Sequence, residues 1–583
     1  MKKLLLGNEA VARGAYEAGC TIATAYPGTP STEITECIAK YDDIYSEWSP
    51  NEKVALEVAI GASIGGARAI CSMKHVGLNV AADPLFTVSY TGINGGLVIV
   101  VADDPGMHSS QNEQDSRFYA RSTHVPMLEP SNSEECKEFV KTAFELSEKF
   151  DTPFLVRLST RIAHSQSLTD ISEKNDYKLK EYKKDIMKYV MMPGMARPRH
   201  KAVVKRNDEL KKFADETNLN FTEGNGKAGV ITSGAAYQYA KEAFGENAAY
   251  LKLGMVYPIP EKLICEFAEK VDKLYVIEEL EPFFENQIKK MGLKVRGKEI
   301  LPVTGELSAS LIMKCFEKEN IAFKASFDNT EQIENDIPNR PPVLCPGCPH
   351  RGLFYVAKKL KLNVMGDIGC YTLGATAPLE AMDACICMGA SIGMAHGFAK
   401  ARGGNDAKKT VAVLGDSTFI HSGITGIIDI VYNKGITTVL ILDNSITGMT
   451  GHQANPTTGF TIKGEPTKQT DLVKLAYAVG FERVKVVDPF NIAELEKVLR
   501  EETDAEEPSI IISQRPCVLL KSVKHKKPLI IDTDKCQRCQ RCLSIGCPSI
   551  LKGDNITIDP ALCIGCGLCK KLCAFGAIGI GEI

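Results

Sequence analysis

Short apolar runs alternate with longer amphipathic stretches along most of the chain. One run, residues 97–102, is almost continuously β-branched and ends at Asp103-Asp104-Pro105-Gly106, which is typical of a strand buried on both faces of a parallel sheet. Pro, Gly and charged residues interrupt the alternation between about 191 and 227 and again near 340. The pattern predicts an α/β protein with several doubly wound parallel-sheet domains, at residues 1–190, 228–325 and 340–520, and a linker at 191–227 that has room for one helix.

Two predicted strands of the third segment end in oxygen-rich residues. Residues 411–414 lead into Gly415-Asp416-Ser417 and, after an amphipathic helix, residues 437–442 lead into Asp443-Asn444. Because strands of one βαβ unit are neighbours, Asp416 and Asn444 are expected at the carboxyl edge of one sheet, where open α/β sheets bind ligands. A carboxylate and an amide oxygen there suit a Mg²⁺ ion that bridges a pyrophosphate. For the Gly-Asp pair alone, an ordinary capped turn is the alternative.

Charge and cysteine usage narrow the possible functions. The 69 Lys and Arg residues against 72 Asp and Glu give a formal charge of −3, which leaves no global basic field for nucleic acid or an anionic membrane. The apolar part of the N-terminus is far too short for a signal peptide or a spanning helix. The 20 cysteines are then better explained as metal ligands or buried thiols than as disulfides. We therefore expect a soluble cytoplasmic protein.

Eight of the 20 cysteines fall within the last 48 residues, in two triplets with the spacing C-x2-C-x2-C. Such a triplet lets one loop present three thiolates to a four-iron cluster, and in bacterial two-cluster ferredoxins the fourth cysteine of each run serves the other cluster. The tail, residues 528–583, resembles that fold. The expected ligands are Cys536, Cys539, Cys542 and Cys573 for one 4Fe-4S cluster and Cys547, Cys563, Cys566 and Cys569 for the other. Zinc is the alternative, but zinc favours separated cysteine pairs.

This module differs from the bacterial pattern in two places. Four residues rather than three separate Cys542 from Cys547, and no proline follows Cys573. The extra residue is expected to reshape the loop before Cys547. The basic stretch that precedes the module, residues 521–528, is either a solvated linker or a docking site for an acidic ferredoxin.

The two strand-end motifs of the third segment together resemble the GDG…NN signature of thiamine diphosphate enzymes, with Ser417 in place of the second Gly and Asp443 in place of the first Asn. The resemblance implies cofactor binding by Gly415, Asp416, Ser417 and Asn444. It also implies Mg²⁺ ligation by Asp416, Asn444 and the backbone carbonyl of Ile446.

Thiamine enzymes also need a carboxylate that faces the aminopyrimidine ring of the cofactor. Residues 51–63 are similar to the helix that carries this group in the family, and Glu52 is our candidate for it. Glu57 is the reserve candidate. A surface glutamate on an amphipathic helix is the alternative interpretation of Glu52.

Three further motifs, Tyr26-Pro27-Gly28-Thr29-Pro30, Cys345-Pro346-Gly347-Cys348-Pro349-His350 and Gly366-Asp367-Ile368-Gly369-Cys370, extend the resemblance over nearly the whole chain. Together they resemble the 2-oxoacid:ferredoxin oxidoreductases. The resemblance implies that Thr29 lies at the substrate and that Cys348 and His350 lie beside the cofactor. It makes His75 a candidate proton donor or acceptor. The respective alternatives are a tight turn, half of a zinc site with Cys345, and a structural histidine.

The resemblance also assigns the domains. Residues 1–190 correspond to the thiamine diphosphate pyrimidine-binding domain, 228–325 to a transketolase C-terminal-like domain and 340–520 to the pyrophosphate- and magnesium-binding domain. The implied reaction is oxidative decarboxylation of a 2-oxoacid to an acyl-coenzyme A, with electrons passing through the clusters. The domain order is most similar to that of alpha subunits that act on indolepyruvate. Asp103-Asp104 stands where pyruvate-using relatives have an arginine, which disfavours a small oxoacid as substrate. The resemblance itself implies an aryl pyruvate.

The implied partners are an external ferredoxin, coenzyme A and a small beta subunit, in a hetero-oligomer of two alpha and two beta chains. A non-oxidative thiamine-dependent decarboxylase is one alternative, although it needs no clusters. A different 2-oxoacid is another. A non-catalytic electron-transfer subunit is disfavoured because Glu52, Asp416 and Asn444 are all present.

Overall fold

The computed structural model describes residues 1–319, 321–324 and 340–580. Contacts divide the chain into two compact units, Met1–Asn335 and Asp336–Ile583, and each unit is described by itself. The end of the predicted second domain, residue 325, lies outside the described residues. Within the described residues, no helix is long and apolar enough to cross a membrane.

The first unit contains thirteen strands and fourteen α-helices among its described residues. The strands are β1 (Lys2–Leu6), β2 (Ile22–Ala25), β3 (Tyr45–Trp48), β4 (Ala69–Lys74), β5 (Leu97–Asp103), β6 (Met127–Leu128), β7 (Phe154–Ser159), β8 (Gln166–Asp170), β9 (Phe221–Glu223), β10 (Ala228–Thr232), β11 (Ala248–Lys252), β12 (Met255–Tyr257) and β13 (Lys273–Ile277). The helices are α1 (Gly7–Glu17), α2 (Thr32–Ile38), α3 (Glu52–Ile64), α4 (His75–Val80), α5 (Ala82–Thr91), α6 (Arg117–Thr123), α7 (Ser133–Phe150), α8 (Thr160–His164), α9 (Ile186–Tyr189), α10 (Pro193–Glu216), α11 (Gly234–Phe244), α12 (Glu261–Ala268), α13 (Phe283–Lys290) and α14 (Ala309–Phe316).

A seven-stranded sheet, in the order β12-β6-β7-β5-β4-β2-β3, forms the centre of this unit. Its strands run parallel except for β12. Successive residues of β5 point to opposite faces. Leu97, Ile99 and Val101 pack with α3 and α5, whereas Val98 and Val100 pack with α1 and α7. Burial on both faces therefore explains the continuous apolar run of β5.

A second sheet of four strands, in the order β13-β10-β11-β9, follows in the same unit. Helix α10 occupies residues 193–216 of the predicted linker and buries Val203, Leu210 and Ala214. Much of the predicted linker is thus a packed helix.

The second unit contains ten strands and eight α-helices among its described residues. The strands are β14 (Asn363–Gly366), β15 (Ala384–Cys385), β16 (Thr410–Gly415), β17 (Thr438–Asp443), β18 (Arg483–Val487), β19 (Ser509–Gln514), β20 (Leu529–Ile531), β21 (Ile550–Lys552), β22 (Ile556–Ile558) and β23 (Ile578–Ile580). The helices are α15 (His350–Leu360), α16 (Ala390–Arg402), α17 (Gly404–Lys408), α18 (Asp416–Thr418), α19 (Ile424–Tyr432), α20 (Leu472–Ala478), α21 (Ile492–Asp504) and α22 (Leu568–Leu572).

Six parallel strands of this unit form one sheet in the order β15-β14-β16-β17-β19-β18. Helices α15 and α21 pack on one face, and α16, α19 and α20 pack on the other. The predicted doubly wound α/β architecture is confirmed. The cysteine-rich tail adds two antiparallel ribbons, β20-β23 and β21-β22, around its own small core.

Candidate active site

In the first unit, the predicted site residues follow four neighbouring strands. Thr29 comes after β2, Glu52 after β3, His75 directly after β4 and Asp103-Asp104 at the end of β5. Because these strands are parallel neighbours, their carboxyl ends share one edge of the sheet. The fold thus brings Thr29, Glu52 and His75 to the same edge.

Glu52 is the first residue of α3, where Asn51 caps the helix by accepting a hydrogen bond from the Val54 amide at 2.9 Å. The Glu52 side chain is buried and lies against Gly77 of α4. A Cβ atom at Gly77 would lie 2.6 Å from both Cγ and Oε1 of Glu52. Glu57 instead is exposed and pairs with Lys53. Of the two candidate glutamates, only Glu52 is buried at the sheet edge.

His75 is 1% exposed, and neither of its ring nitrogens has a hydrogen-bond partner among the described residues. Burial lowers the pKa of its imidazole, and the neighbouring Lys74 charge lowers it further. The ring is therefore neutral at pH 7.

Thr29 lies in a tight turn. Ser31 closes this turn through its backbone amide and its hydroxyl, which donate to the Gly28 carbonyl at 2.9 and 2.8 Å. Thr29 is half-buried, and its carbonyl accepts a hydrogen bond from the Ser109 hydroxyl at 3.4 Å.

In the second unit, Asp416 and Asn444 follow β16 and β17, which pair in parallel with Gly415 opposite Leu442. Asp416 is 2% exposed and accepts a hydrogen bond from the Thr457 hydroxyl at 3.0 Å. Burial and the nearby Asp443 charge raise the pKa of Asp416 to about 7. A buried acid beside a second acid is a site that a cation would stabilise.

The Asn444 amide tests whether a magnesium ion fits here. The amide oxygen of Asn444 lies 3.3 Å from Oδ1 of Asp416 and 2.7 Å from the Ile446 carbonyl oxygen. With the amide oxygen at this position, three side-chain and backbone oxygens converge and the Ile446 amide donates to the Asn444 oxygen at 3.4 Å, whereas the rotated amide would donate to Asp416 and to the Ile446 carbonyl. Three converging oxygens match the oxygen-rich coordination of Mg²⁺.

Gly415 and Ser417 flank Asp416. A Cβ atom at Gly415 would lie 2.8 Å from the Tyr371 ring, so only glycine fits without a shift. The Ser417 hydroxyl accepts a hydrogen bond from the Thr447 hydroxyl at 3.0 Å.

Cys348 and His350 lie at the start of α15 and are both buried. Burial lowers the pKa of His350 to about 4, and its Nδ1 has no partner among the described residues. The ring meets that of Tyr371 edge-on at 5.9 Å. His350 is therefore a neutral, buried imidazole.

Four cysteines gather beside the Asp416 site: Cys345, Cys348, Cys370 and Cys517. Burial raises the pKa of Cys370 to about 11, and the neighbouring thiols of Cys517 and Cys345 contribute to the rise. Burial raises the pKa of Cys348 to about 12, and the neighbouring thiols of Cys370 and Cys345 contribute to the rise.

This cysteine set borders the Asn444 site directly. A Cβ atom at Gly448 would lie 3.6 Å from Sγ of Cys370 and 3.8 Å from Nδ2 of Asn444, and the Cys517 amide donates to the Asn444 carbonyl at 2.9 Å. Sequence reasoning placed Cys345 and Cys348 in one motif and Cys370 in another, and it did not use Cys517. It did not bring Cys370 or Cys517 into this set, because both are far from Cys345 and Cys348 in the sequence. The available signal was that each follows a strand, β14 or β19, of the same sheet.

The tail cysteines surround two cavities. Cys536, Cys539, Cys542 and Cys573 line one cavity, and Cys547, Cys563, Cys566 and Cys569 line the other. The fourth cysteine in each group, Cys573 or Cys547, comes from the other half of the tail.

The loop with the extra residue contacts α15. Arg351 donates to the Ile545 carbonyl at 2.9 Å and also to that of Gly546, which has a φ of 62°. A Cβ atom at Gly347 would lie 3.3 Å from Cβ of Cys566. The loop of Cys345 and Cys348 therefore packs against the second triplet.

Across the described residues, no three His, Cys, Asp or Glu side chains are close enough to hold a single metal ion. This applies to Cys345, Cys348 and His350, the alternative zinc half-site.

Three family models match parts of this chain. The family "Thiamine pyrophosphate enzyme, C-terminal TPP binding domain" matches residues 367–513, "Pyruvate flavodoxin/ferredoxin oxidoreductase, thiamine diP-bdg" matches residues 13–217, and "4Fe-4S binding domain" matches residues 555–578. Among solved structures, 2-oxoglutarate:ferredoxin oxidoreductase from Magnetococcus marinus matches with 17% identity and a TM-score of 0.46, over 55% of this chain and 65% of that one.

Curated relatives match over almost the whole chain. The indolepyruvate oxidoreductase subunit IorA of Archaeoglobus fulgidus is 40% identical over 611 residues, which cover 99% of this chain and 97% of the relative. The subunit of the same name from Pyrococcus horikoshii is 38% identical, with 99% and 96% covered. At this identity and coverage, the chain belongs to the IorA family of indolepyruvate oxidoreductase subunits.

Proposed function

We propose that this chain is the thiamine diphosphate-binding, electron-transferring subunit of an indolepyruvate:ferredoxin oxidoreductase. It oxidatively decarboxylates an aryl pyruvate to aryl-acetyl-coenzyme A and CO₂. The strongest support is a continuous series of contacts within the second unit, from the candidate magnesium ligands to the cysteines of the tail. The oxygens of Asp416, Asn444 and Ile446 adjoin one set of four thiols, whose loop packs against the tail cysteines. Only an oxidative reaction needs an electron path from such a site.

When bound, thiamine diphosphate supplies the electron sink for the loss of CO₂ from a 2-oxoacid. Asp416, Asn444 and the Ile446 carbonyl would hold the magnesium ion, and Gly415 and Ser417 would let the backbone approach the pyrophosphate. Glu52, buried at the edge of the other sheet, would hold a proton at a ring nitrogen of the aminopyrimidine. The buried, neutral imidazole of His75 would accept or donate a proton, and the Thr29 hydroxyl would contact the substrate.

The tail would hold two 4Fe-4S clusters with the predicted ligands, supported by the two four-cysteine cavities. The set of Cys345, Cys348, Cys370 and Cys517 has the thiol count for one more cluster, beside the cofactor site. Electrons would then pass from this set to that of Cys566. They would leave through the set that contains the exposed Cys539.

The remaining parts of the proposal concern the assembly. We propose a small beta subunit, a hetero-oligomer of two alpha and two beta chains, an external ferredoxin and a cytoplasmic location. All 20 cysteines are among the described residues and none forms a disulfide, which supports a reducing compartment.

The test is an anaerobic assay of the chain purified with its partner subunit. It contains thiamine diphosphate, Mg²⁺, coenzyme A and indolepyruvate, with a viologen dye as electron acceptor. We expect dye reduction that depends on coenzyme A, is much slower with pyruvate and is lost in Asp416→Ala. Release of aldehyde and CO₂ without dye reduction would indicate a non-oxidative decarboxylase instead.

A further inference from the structure

Lys74 is a buried cation at the sheet edge of the first unit. It is the last residue of β4, directly before His75, and it is 8% exposed. A Cβ atom at Gly28 would lie 3.1 Å from Cβ of Lys74, so the lysine packs against the turn that carries Thr29. Lys74 therefore lies beside the residues that we propose to face the substrate.

The Lys74 ammonium is incompletely satisfied by protein groups. Nζ donates to the Ser109 carbonyl at 2.7 Å, and no carboxylate of the described residues lies within ion-pair distance of it. An ammonium group has three donors, so this contact leaves two without a partner. Burial lowers the pKa of Lys74 to about 8, although the nearby Asp104 charge acts in the opposite direction.

The Asp104 carboxylate accepts hydrogen bonds from groups other than Lys74. Its Oδ2 accepts from the Ser109 amide at 2.9 Å and from the Ser110 hydroxyl at 2.6 Å, while Oδ1 accepts from the Thr160 hydroxyl at 2.6 Å. These bonds fix the loop after β5, and the Ser109 hydroxyl of this loop donates to the Thr29 carbonyl. The loop therefore holds Lys74 beside Thr29 and forms no ion pair with the Lys74 ammonium.

A buried charge without an ion-pair partner is costly unless a ligand supplies the opposite charge. We propose that Lys74 binds the carboxylate of the 2-oxoacid substrate and so makes the site selective for 2-oxoacids over neutral carbonyl compounds. This inference rests on the proposed function, because it takes the edge that carries Thr29 and Glu52 as the substrate site. After CO₂ has left, the acyl product has no carboxylate, and Lys74 then favours substrate over product.

A carboxylate contact made before decarboxylation contributes mainly to substrate binding, not to the later step. For Lys74→Met we therefore expect a KM for indolepyruvate about 10- to 100-fold higher, with a much smaller change in kcat. Lys74→Arg keeps the charge and should recover most of the affinity. An exposed lysine of the same unit, Lys40, provides the control variant Lys40→Met, which should leave both constants unchanged.

Binding measured without turnover separates charge recognition from a structural role. The purified enzyme with its partner subunit is titrated calorimetrically with indole-3-propionate and with indole-3-propionamide, which lacks the charge. We expect wild type and Lys40→Met to prefer the carboxylate by about 10- to 100-fold, and Lys74→Met to lose this preference while its affinity for the amide stays the same.

Three outcomes would contradict the proposal. If Lys74→Met keeps the preference for the carboxylate, Lys74 is structural. If its affinity for coenzyme A falls instead, the anion is a phosphate. If wild type binds neither indole compound, the proposed function fails as well. Should Lys74→Met not fold, acetylation of Lys74 is measured in the wild-type enzyme instead. Protection of Lys74 by indole-3-propionate but not by indole-3-propionamide supports the proposal, and equal protection by both compounds contradicts it.

Discussion

Two glutamates of α3 differ in burial, and this difference separates a catalytic candidate from a surface residue. Glu52 is 4% exposed and contacts Gly77, whereas Glu57 is exposed and forms an i,i+4 pair with Lys53. The sequence offers both as candidates, because both lie in the segment 51–63 that resembles the helix carrying the catalytic carboxylate in thiamine enzymes. Their position relative to the sheet edge decides between them.

Glu52→Gln should therefore reduce kcat by about 10²- to 10⁴-fold, the range for removal of a general acid or base. Glu57→Gln is the matched control and should reduce it by less than about twofold, since its exposed ion pair contributes little. Both variants are compared in the viologen assay at saturating thiamine diphosphate. Equal losses in the two variants would contradict the assignment of Glu52.

The pH dependence of substrate binding follows from Lys74. Its pKa is lowered to about 8 by burial, and the charged or titratable groups that act on it are Asp104 and His75. The ammonium is charged below this pKa and loses its proton above it. The KM for indolepyruvate should thus be constant below about pH 7.5 and rise about tenfold per pH unit well above pH 8. A KM that stays flat up to pH 9.5, in a stable enzyme, would contradict carboxylate binding by Lys74.

At the scale of elements, α4 fixes the position of Glu52. Gly77→Ala would place a methyl group 2.6 Å from the Glu52 carboxylate, whereas a Cβ atom at Gly61 of α3 meets nothing within 4 Å. Alanine is a better helix former than glycine by about 1 kcal/mol. Gly61→Ala should therefore raise the Tm slightly and keep activity, whereas Gly77→Ala should lower kcat at least tenfold in a folded protein. Wild-type kcat in Gly77→Ala would show that this contact is irrelevant to catalysis.

The sequence predicts the elements with strong local patterns and misses those that depend on distant contacts. The buried runs of β5, β16 and β17 are evident from their apolar residues, and so is the meeting of Asp416 with Asn444. The sequence allows one helix in the linker, but the length and packing of α10 are not predictable from it because the helix is highly charged and contains Pro198. The gathering of Cys370 and Cys517 with Cys345, and the burial of Lys74, result from packing between segments far apart in sequence. No local pattern encodes them.

At the scale of the molecule, charge is distributed unevenly. Residues 521–580 contain ten Lys and Arg but only four Asp and Glu, although the whole chain has a formal charge of −3. Lys535, Arg538, Arg541 and the apolar Phe575 are exposed around Cys539. An acidic ferredoxin would be attracted to this face.

The double variant Arg538→Gln, Arg541→Gln should lower kcat/KM for an acidic ferredoxin about tenfold at low salt and flatten its decline with ionic strength. Viologen reduction should stay unchanged, because the dye needs no docking surface. Lys526→Gln, Lys527→Gln tests the preceding linker as the alternative docking site. A larger loss of kcat/KM in the Lys526→Gln, Lys527→Gln variant would indicate that ferredoxin docks on the linker instead.

The most direct test of the central claim uses the enzyme's own clusters as the electron acceptor. The anaerobic enzyme, loaded with thiamine diphosphate and Mg²⁺, is mixed with indolepyruvate and coenzyme A without dye or ferredoxin, and the electron paramagnetic resonance signal of reduced clusters is recorded. We predict that the signal appears in wild type and is absent in Asp416→Ala, which keeps its iron content. Release of CO₂ while the clusters stay oxidised, or equal reduction in Asp416→Ala, would contradict the account.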